Sequence, residues 1–185
     1  MGIVAMIPVL AAVAIAAAVA IVLRRAGRIV ARTREVEGFR SKTRDLCARI
    51  GTSLDGAIAR IDAVRRQSVG ADTIGPTIEA ASDAVQRYLD EARALDGPKA
   101  AKAIRDDIVS ELERAGRALD MVEHGAAIMV QVRRRGRELE AQTAVKRGYL
   151  NLLHAREAIA GHALRAEALE TTQEPTAGDH PISVR

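Results

Sequence analysis

Histidines and carboxylates are the first residues to test for chemistry, because these side chains ligate metals and move protons. His154 and His162 lie eight residues apart. That spacing separates them by about 80° around a helix, so they do not share one ligating face. His154 and Glu157 are one turn apart, but the repeated Glu-x-x-His motif of di-iron bundles is missing. We therefore expect surface or interface histidines, with no metal and no cofactor.

The other candidates for catalysis are isolated along the chain. Cys47, the one cysteine, has the spacing of a core residue and is expected to be a buried small hydrophobe. The carboxylates of Asp90 and Glu91, and those of Asp106 and Asp107, are adjacent in sequence and face different directions on a helix. No glycine-rich phosphate loop, Gly-x-Ser-x-Gly or His-Glu-x-x-His motif occurs. We expect no enzymatic activity and no small-molecule substrate.

Arginine is the residue type with the clearest clustering. One cluster contains Arg133, Arg134, Arg135 and Arg137, which spread over more than half of a helix circumference. Three interpretations remain open: a solvated stretch, an acid-binding patch for a partner such as the acidic second helix, and a contact with lipid headgroups. Stacking aromatics, which accompany nucleic-acid sites, are absent from the surrounding sequence. We keep the four arginines as candidates for partner contact and expect no nucleic-acid binding.

A second arginine cluster follows directly after the most apolar part of the chain. Its members are Arg24, Arg25, Arg28, Arg32 and Arg34. Residues 24–50 hold nine Lys and Arg against three Asp and Glu, a net charge of +6, whereas residues 76–96 hold two against five, a net charge of −3. Basic residues beside a membrane attract anionic headgroups by about 1 kcal/mol each. We predict that this cluster binds the membrane surface, with a pure topology signal as the alternative.

The apolar segment before this cluster predicts a single transmembrane helix. No charged residue occurs from Gly2 to Leu23, and about 20 apolar residues in a helix span the hydrocarbon core of a bilayer. Lys and Arg accumulate on the cytoplasmic side, so the N-terminus is expected outside and the rest in the cytoplasm. A cleaved signal peptide is the main alternative, since Ala14-Ile15-Ala16 mimics a cleavage site.

Small residues recur on one face of the predicted anchor. Ala12, Ala16 and Ala20 follow small-xxx-small spacing, which lets two membrane helices approach closely. The segment is rich in alanine, so a chance alignment is the alternative to helix association.

Composition favours an all-α chain. Aromatic residues make up 2% of the sequence and tryptophan is absent, which suits helices packed through small and aliphatic side chains. No run of β-branched residues has the period of a strand. We predict an N-terminal transmembrane helix at 1–23 that continues into a cytoplasmic coiled-coil or helical-bundle domain at 24–170, followed by a disordered tail at 171–185.

Apolar residues spaced alternately by four and three define the seams of this domain. The helices are predicted at about 24–67, 76–95 and 98–170. The third is predicted to be continuous or kinked, because its apolar phase runs unbroken past His124 and Gly125, although a turn there is the alternative. The seam residues are Thr43, Cys47, Ile50, Leu54, Ala57, Ile61 and Val64 in the first helix, Ile78, Ala81, Val85, Leu89, Ala92 and Leu95 in the second, and Ile104, Ile108, Leu112, Ala115, Leu119, Val122, Ala126, Met129, Leu139, Gln142, Val145, Tyr149, Leu152, Ile159, Ala163 and Ala166 in the third.

These features favour a non-enzymatic, single-pass membrane protein that acts as a scaffold or accessory protein on the cytoplasmic face. It would hold a protein partner, or a second copy of itself, through its helical seams. The alternative is a coiled-coil accessory subunit of a membrane transport or signalling complex.

Overall fold

The computed structural model describes the backbone of residues 3–131 and 136–169, and their side chains from residue 16 onward. Four α-helices account for nearly all of it: α1 at Ile3–Arg65, α2 at Gly75–Arg93, α3 at Lys102–Gln131 and α4 at Glu138–Glu167. Short 3₁₀ turns at Ala71–Thr73 and Lys99–Ala101 precede α2 and α3. The prediction of an all-α chain is confirmed. The predicted tail at 171–185 lies outside the described residues.

Residues Gly38–Leu169 form one compact unit, which we call the bundle, and Met1–Glu37 belong to a second unit. Contacts join each consecutive pair of helices in the bundle and also join the first helix to the last. They are Arg49–Glu91 and Ser53–Tyr88 between α1 and α2, Arg93–Glu113 and Val85–Gly116 between α2 and α3, Asp107–Arg165 and Gly125–Val145 between α3 and α4, and Asp55–Arg156 and Arg65–Tyr149 between α1 and α4. In each pair of helices, contacts made by higher-numbered residues of one helix involve lower-numbered residues of the other, which is the pattern of antiparallel helices. The bundle is therefore a closed ring of four antiparallel helices.

The core of the bundle contains the residues that the seam spacing selects. All seven seam residues of α1 and all six of the second helix are buried, as are those of α3 from Ile104 to Ala126. Their side chains are mostly isoleucine, leucine, valine and alanine, in keeping with an aromatic-poor sequence. Leu139 and Gln142 are exceptions, since both are exposed at the start of α4.

The prediction of one helix across 98–170 is wrong, because the structure has two helices of 30 residues there. The break lies beyond Gln131, and Gly136 has a φ of +122°, which an L side chain rarely adopts. Apolar spacing did not reveal the break because α3 and α4 each turn an apolar face into the same core.

Gly125 does not interrupt the helix, so the alternative of a turn at His124 and Gly125 is wrong. It lies inside α3 at a close crossing with α4. A Cβ atom placed on Gly125 would lie 2.9 Å from the Ala141 carbonyl oxygen and 2.8 Å from Val145 Cγ2. The glycine therefore permits two helix backbones to approach closely, as small residues do at other helix crossings.

Candidate functional site

The basic cluster at 24–34 lies on an exposed stretch of α1. Every residue from Ala16 to Glu35 is exposed. Arg24, Arg28 and Arg32 follow one another at intervals of four and lie with Arg25 within about 100° of the helix circumference, whereas Arg34 lies about 80° outside this arc. Four of the five predicted membrane-surface arginines thus share one face of the helix.

The ion pairs of the chain distinguish these arginines from those of the bundle. Within the part of the chain that the structure describes, none of the five has a carboxylate partner. In the bundle, Arg156 lies 3.0 Å from Asp55 and Arg165 lies 2.8 Å from Asp107, each on a neighbouring helix. Like charges four residues apart destabilise a helix by about 0.2–0.5 kcal/mol per pair. An anionic surface would relieve that repulsion.

Large apolar side chains accompany the arginines on this stretch. Val19, Ile21, Val22 and Leu23, which precede Arg24, are 52–67% exposed. Exposed large apolar side chains that follow one another along a helix are candidates for contact with a protein or a membrane. The segment therefore combines two features, apolar residues and unpaired arginines, in adjacent turns of one helix.

Among the residues that the structure describes, no helix was found that is both long and apolar enough to cross a membrane. Residues 1–15, which make up most of the predicted anchor, lie outside the side chains described. The predicted small-residue face of the anchor, Ala12, Ala16 and Ala20, is described only from residue 16 onward. Ala16 and Ala20 are exposed on α1, whereas the side chain of Ala12 lies outside the described residues.

Of the arginine cluster at 133–137, the structure describes only Arg137. Arg133, Arg134 and Arg135 lie outside the described residues. Arg137 donates two hydrogen bonds of 2.9 Å to the carboxylate of Glu140, one turn into α4. These bonds raise the pKa of Arg137 and lower the pKa of Glu140.

Arg137 thus uses its charge within its own helix and not on the acidic α2. Glu91 of α2 pairs instead with Arg49 of α1, which also lies 5.7 Å from the centre of the Tyr88 ring. Part of the negative charge of α2 is therefore already paired with an arginine of the same bundle.

The histidines, the carboxylates and Cys47 do not form a common site among the described residues. No group of three His, Cys, Asp or Glu side chains that could hold a metal is found in the described ranges. Nδ1 of His162 lies 3.9 Å from Asp107, and His154 is exposed. Burial raises the pKa of the Cys47 thiol to about 11, so the thiol is protonated near neutral pH and is a weak nucleophile.

A cavity of about 530 Å³, which the spacing of residues did not predict, lies at the end of the bundle where α1 gives way to the loop before α2. Gln67, Ser68, Glu138 and Gln142 contribute polar atoms to it, and Val64 and Met129 contribute apolar ones. Gln67 has a φ of 60°, which is uncommon for a residue other than glycine. The predicted helix bounds leave a loop between 67 and 76, but nothing in the sequence pattern indicates a cavity between that loop and the start of α4.

No protein-family model, no curated protein and no solved structure matches this chain.

Proposed function

We propose that this chain is a non-enzymatic, single-pass membrane protein whose helical bundle serves as a scaffold on the cytoplasmic face. The observation that carries the proposal is the pairing of an uncharged segment, Gly2–Leu23, with five exposed arginines that have no carboxylate partner among the described residues. The apolar segment supplies the anchor. The arginines hold anionic headgroups and fix the orientation.

The bundle supports a scaffolding role because it carries rigid surfaces on helices. Ion pairs between neighbouring helices, such as Asp55–Arg156 and Arg93–Glu113, add to the contacts of its core. A preformed surface of this kind loses little conformational entropy when a partner binds. The partner is a protein held near the membrane, and the contacts are made by exposed side chains of the bundle.

The topology of the anchor tests this proposal. One cysteine is added beside the native Cys47, by Ser183→Cys in one variant and by Gly2→Cys in the other, in cells that produce the full chain. An impermeant maleimide should label the Gly2→Cys chain in intact cells and the Ser183→Cys chain only after lysis. The native Cys47 is buried and serves as the background in both. Labelling of Ser183→Cys in intact cells would contradict the cytoplasmic scaffold, and recovery of the chain in the soluble fraction would contradict the anchor.

A further inference from the structure

The last helix has apolar side chains on two opposite sides. Its buried side consists of Ala141, Val145, Gly148, Leu152, Ala155, Ile159 and Ala166. On the other side Leu139, Leu150 and Leu164 are 77%, 43% and 68% exposed. Leu153 lies beside them at the edge of the core, half-buried and packed partly against it. Leu139, Leu150 and Leu164 take no part in the buried core, so the packing of the bundle does not account for leucine at these three positions.

These leucines belong to a regular stripe, which we call the outer face of α4. It contains Leu139, Lys146, Leu150, Leu153, Glu157 and Leu164. Their spacings of seven, four, three, four and seven residues are those of a coiled-coil seam. The outer face therefore has the pattern of a helix that packs against another helix.

The outer face is complementary to itself when the helix is reversed. Turning α4 about the midpoint between Leu150 and Leu153 exchanges those two leucines. The same operation exchanges Leu139 with Leu164 and Lys146 with Glu157, because each pair of numbers has the same sum. A two-fold symmetric interface requires this kind of self-complementarity.

The charges of the outer face select the antiparallel arrangement. Lys146 and Glu157 are exposed, and neither has an ion-pair partner within the described parts of the chain. In an antiparallel pair, each Lys146 faces the Glu157 of the other copy. In a parallel pair in register, Lys146 would face Lys146 and Glu157 would face Glu157, and like charges opposed across an interface are strongly unfavourable.

We propose that the outer face of α4 is a dimerisation surface, on which α4 of a second copy of this chain lies antiparallel. Leu150 and Leu153 of both copies form its centre. Two Lys146–Glu157 pairs flank the centre, and two Leu139–Leu164 contacts lie at the ends. The proposal concerns the bundle alone and does not depend on membrane anchoring.

Disulfide crosslinking of full-length chains in mild detergent tests the register. One preparation carries Leu139→Cys and the other carries Leu164→Cys, both at highly exposed positions, so neither change disturbs the core. The two sites are 25 residues apart, or about 37 Å along a helix. When the chains are mixed and oxidised, the Leu139–Leu164 dimer should form efficiently. Each preparation oxidised alone should give little dimer. Efficient crosslinking of Leu139→Cys with itself, or none in the mixture, would overturn the proposal.

A second experiment reverses the charges of Lys146 and Glu157 in both crosslinking chains and measures the rate at which the mixed dimer forms. Lys146→Glu alone places a second carboxylate opposite Glu157 of the other copy and should slow formation of the mixed dimer by about tenfold or more. Lys146→Glu combined with Glu157→Lys restores opposite charges and should restore crosslinking. The matched control, Arg117→Glu at an exposed position of α3, should leave crosslinking unchanged. If the double exchange crosslinks no better than Lys146→Glu, the antiparallel surface is excluded.

Discussion

Single glycines decide how closely α3 and α4 approach. Gly148 faces α3 so directly that a Cβ atom on it would lie 2.7 Å from the Ala118 carbonyl oxygen and 2.5 Å from Val122 Cγ2. Backbone oxygen cannot rotate away as a side chain can, so any larger residue must push the helices apart. Gly161, on the same helix, has open space where its Cβ would be.

We expect Gly148→Ala to lower the free energy of unfolding by about 1–3 kcal/mol, because overpacking forces backbone shifts. Gly161→Ala should raise it by about 0.5–1 kcal/mol, since alanine favours a helix more than glycine does. Denaturant unfolding of the purified full-length chain in mild detergent measures both. Equal effects of the two substitutions would show that the α3–α4 crossing is looser than described.

Gly125 and Gly136 have different roles that the sequence around them does not distinguish. Glycine weakens an isolated helix, so a break at Gly125 was a fair alternative on local grounds. Its actual role depends on Ala141 and Val145, which lie on a different helix. Gly136 is also a glycine, but it has a positive φ and lies between α3 and α4. Nothing local distinguishes the two without the partner helix.

Among the helices, burial followed the four–three spacing closely in α1 and in the predicted second helix at 76–95. Each seam residue from Thr43 to Val64 and from Ile78 to Leu95 is buried. The pattern failed at the start of α4, where Leu139 is 77% exposed. A seam tells which residues pack against something, but it does not tell whether the neighbour is in the same chain. Leu139 fits the seam of the outer face and not the seam of the core.

The basic stretch of α1 is the element for which binding can be measured directly. In a truncated chain, residues 24–185, substitution of Arg24, Arg28 and Arg32 with Gln should weaken binding to anionic vesicles by about 3 kcal/mol, roughly a hundredfold. Binding by the parent should also fall steeply with salt, because surface charges are screened within about 8–10 Å at physiological ionic strength.

The control removes the same charge elsewhere. Arg87, Arg117 and Arg147 are exposed on the three other helices, and their replacement with Gln should change vesicle binding much less. Equal losses in the two triple variants would mean that net charge, and not the face of α1, determines binding. Undiminished binding to neutral vesicles would contradict the headgroup interpretation altogether.

At the scale of the whole bundle, stability depends on one shared core. Leu54 is 1% exposed, and burying a leucine contributes about 1.5–3 kcal/mol. Leu54→Asp removes that contribution and places an unpaired charge in an apolar interior. A domain has only about 5–15 kcal/mol of net stability. We expect the bundle of this variant to lose its cooperative thermal transition by circular dichroism.

Ala59→Asp provides the matched control, because Ala59 is exposed on the same helix. It introduces the same charge without entering the core, so its melting temperature should stay near that of the parent. Parent-like melting of Leu54→Asp would show that α1 is not part of the cooperative unit.

For the molecule as a whole, the sequence predicted only the all-α fold class. Aromatic-poor composition and seam spacing indicated packed helices, and the structure has them. The number of helices and the closure of the ring depend on contacts such as Arg156–Asp55, which joins residues 101 positions apart. No local pattern encodes that distance.

Ring closure between α1 and α4 also sets an order of events during synthesis. A ribosome adds about 5–20 residues per second, so Asp55 emerges some 5–20 s before Arg156, its partner 101 positions later. Hairpins between neighbouring helices form in far less time than that. The side of α1 that α4 covers must therefore stay open to solvent until α4 itself has been synthesised.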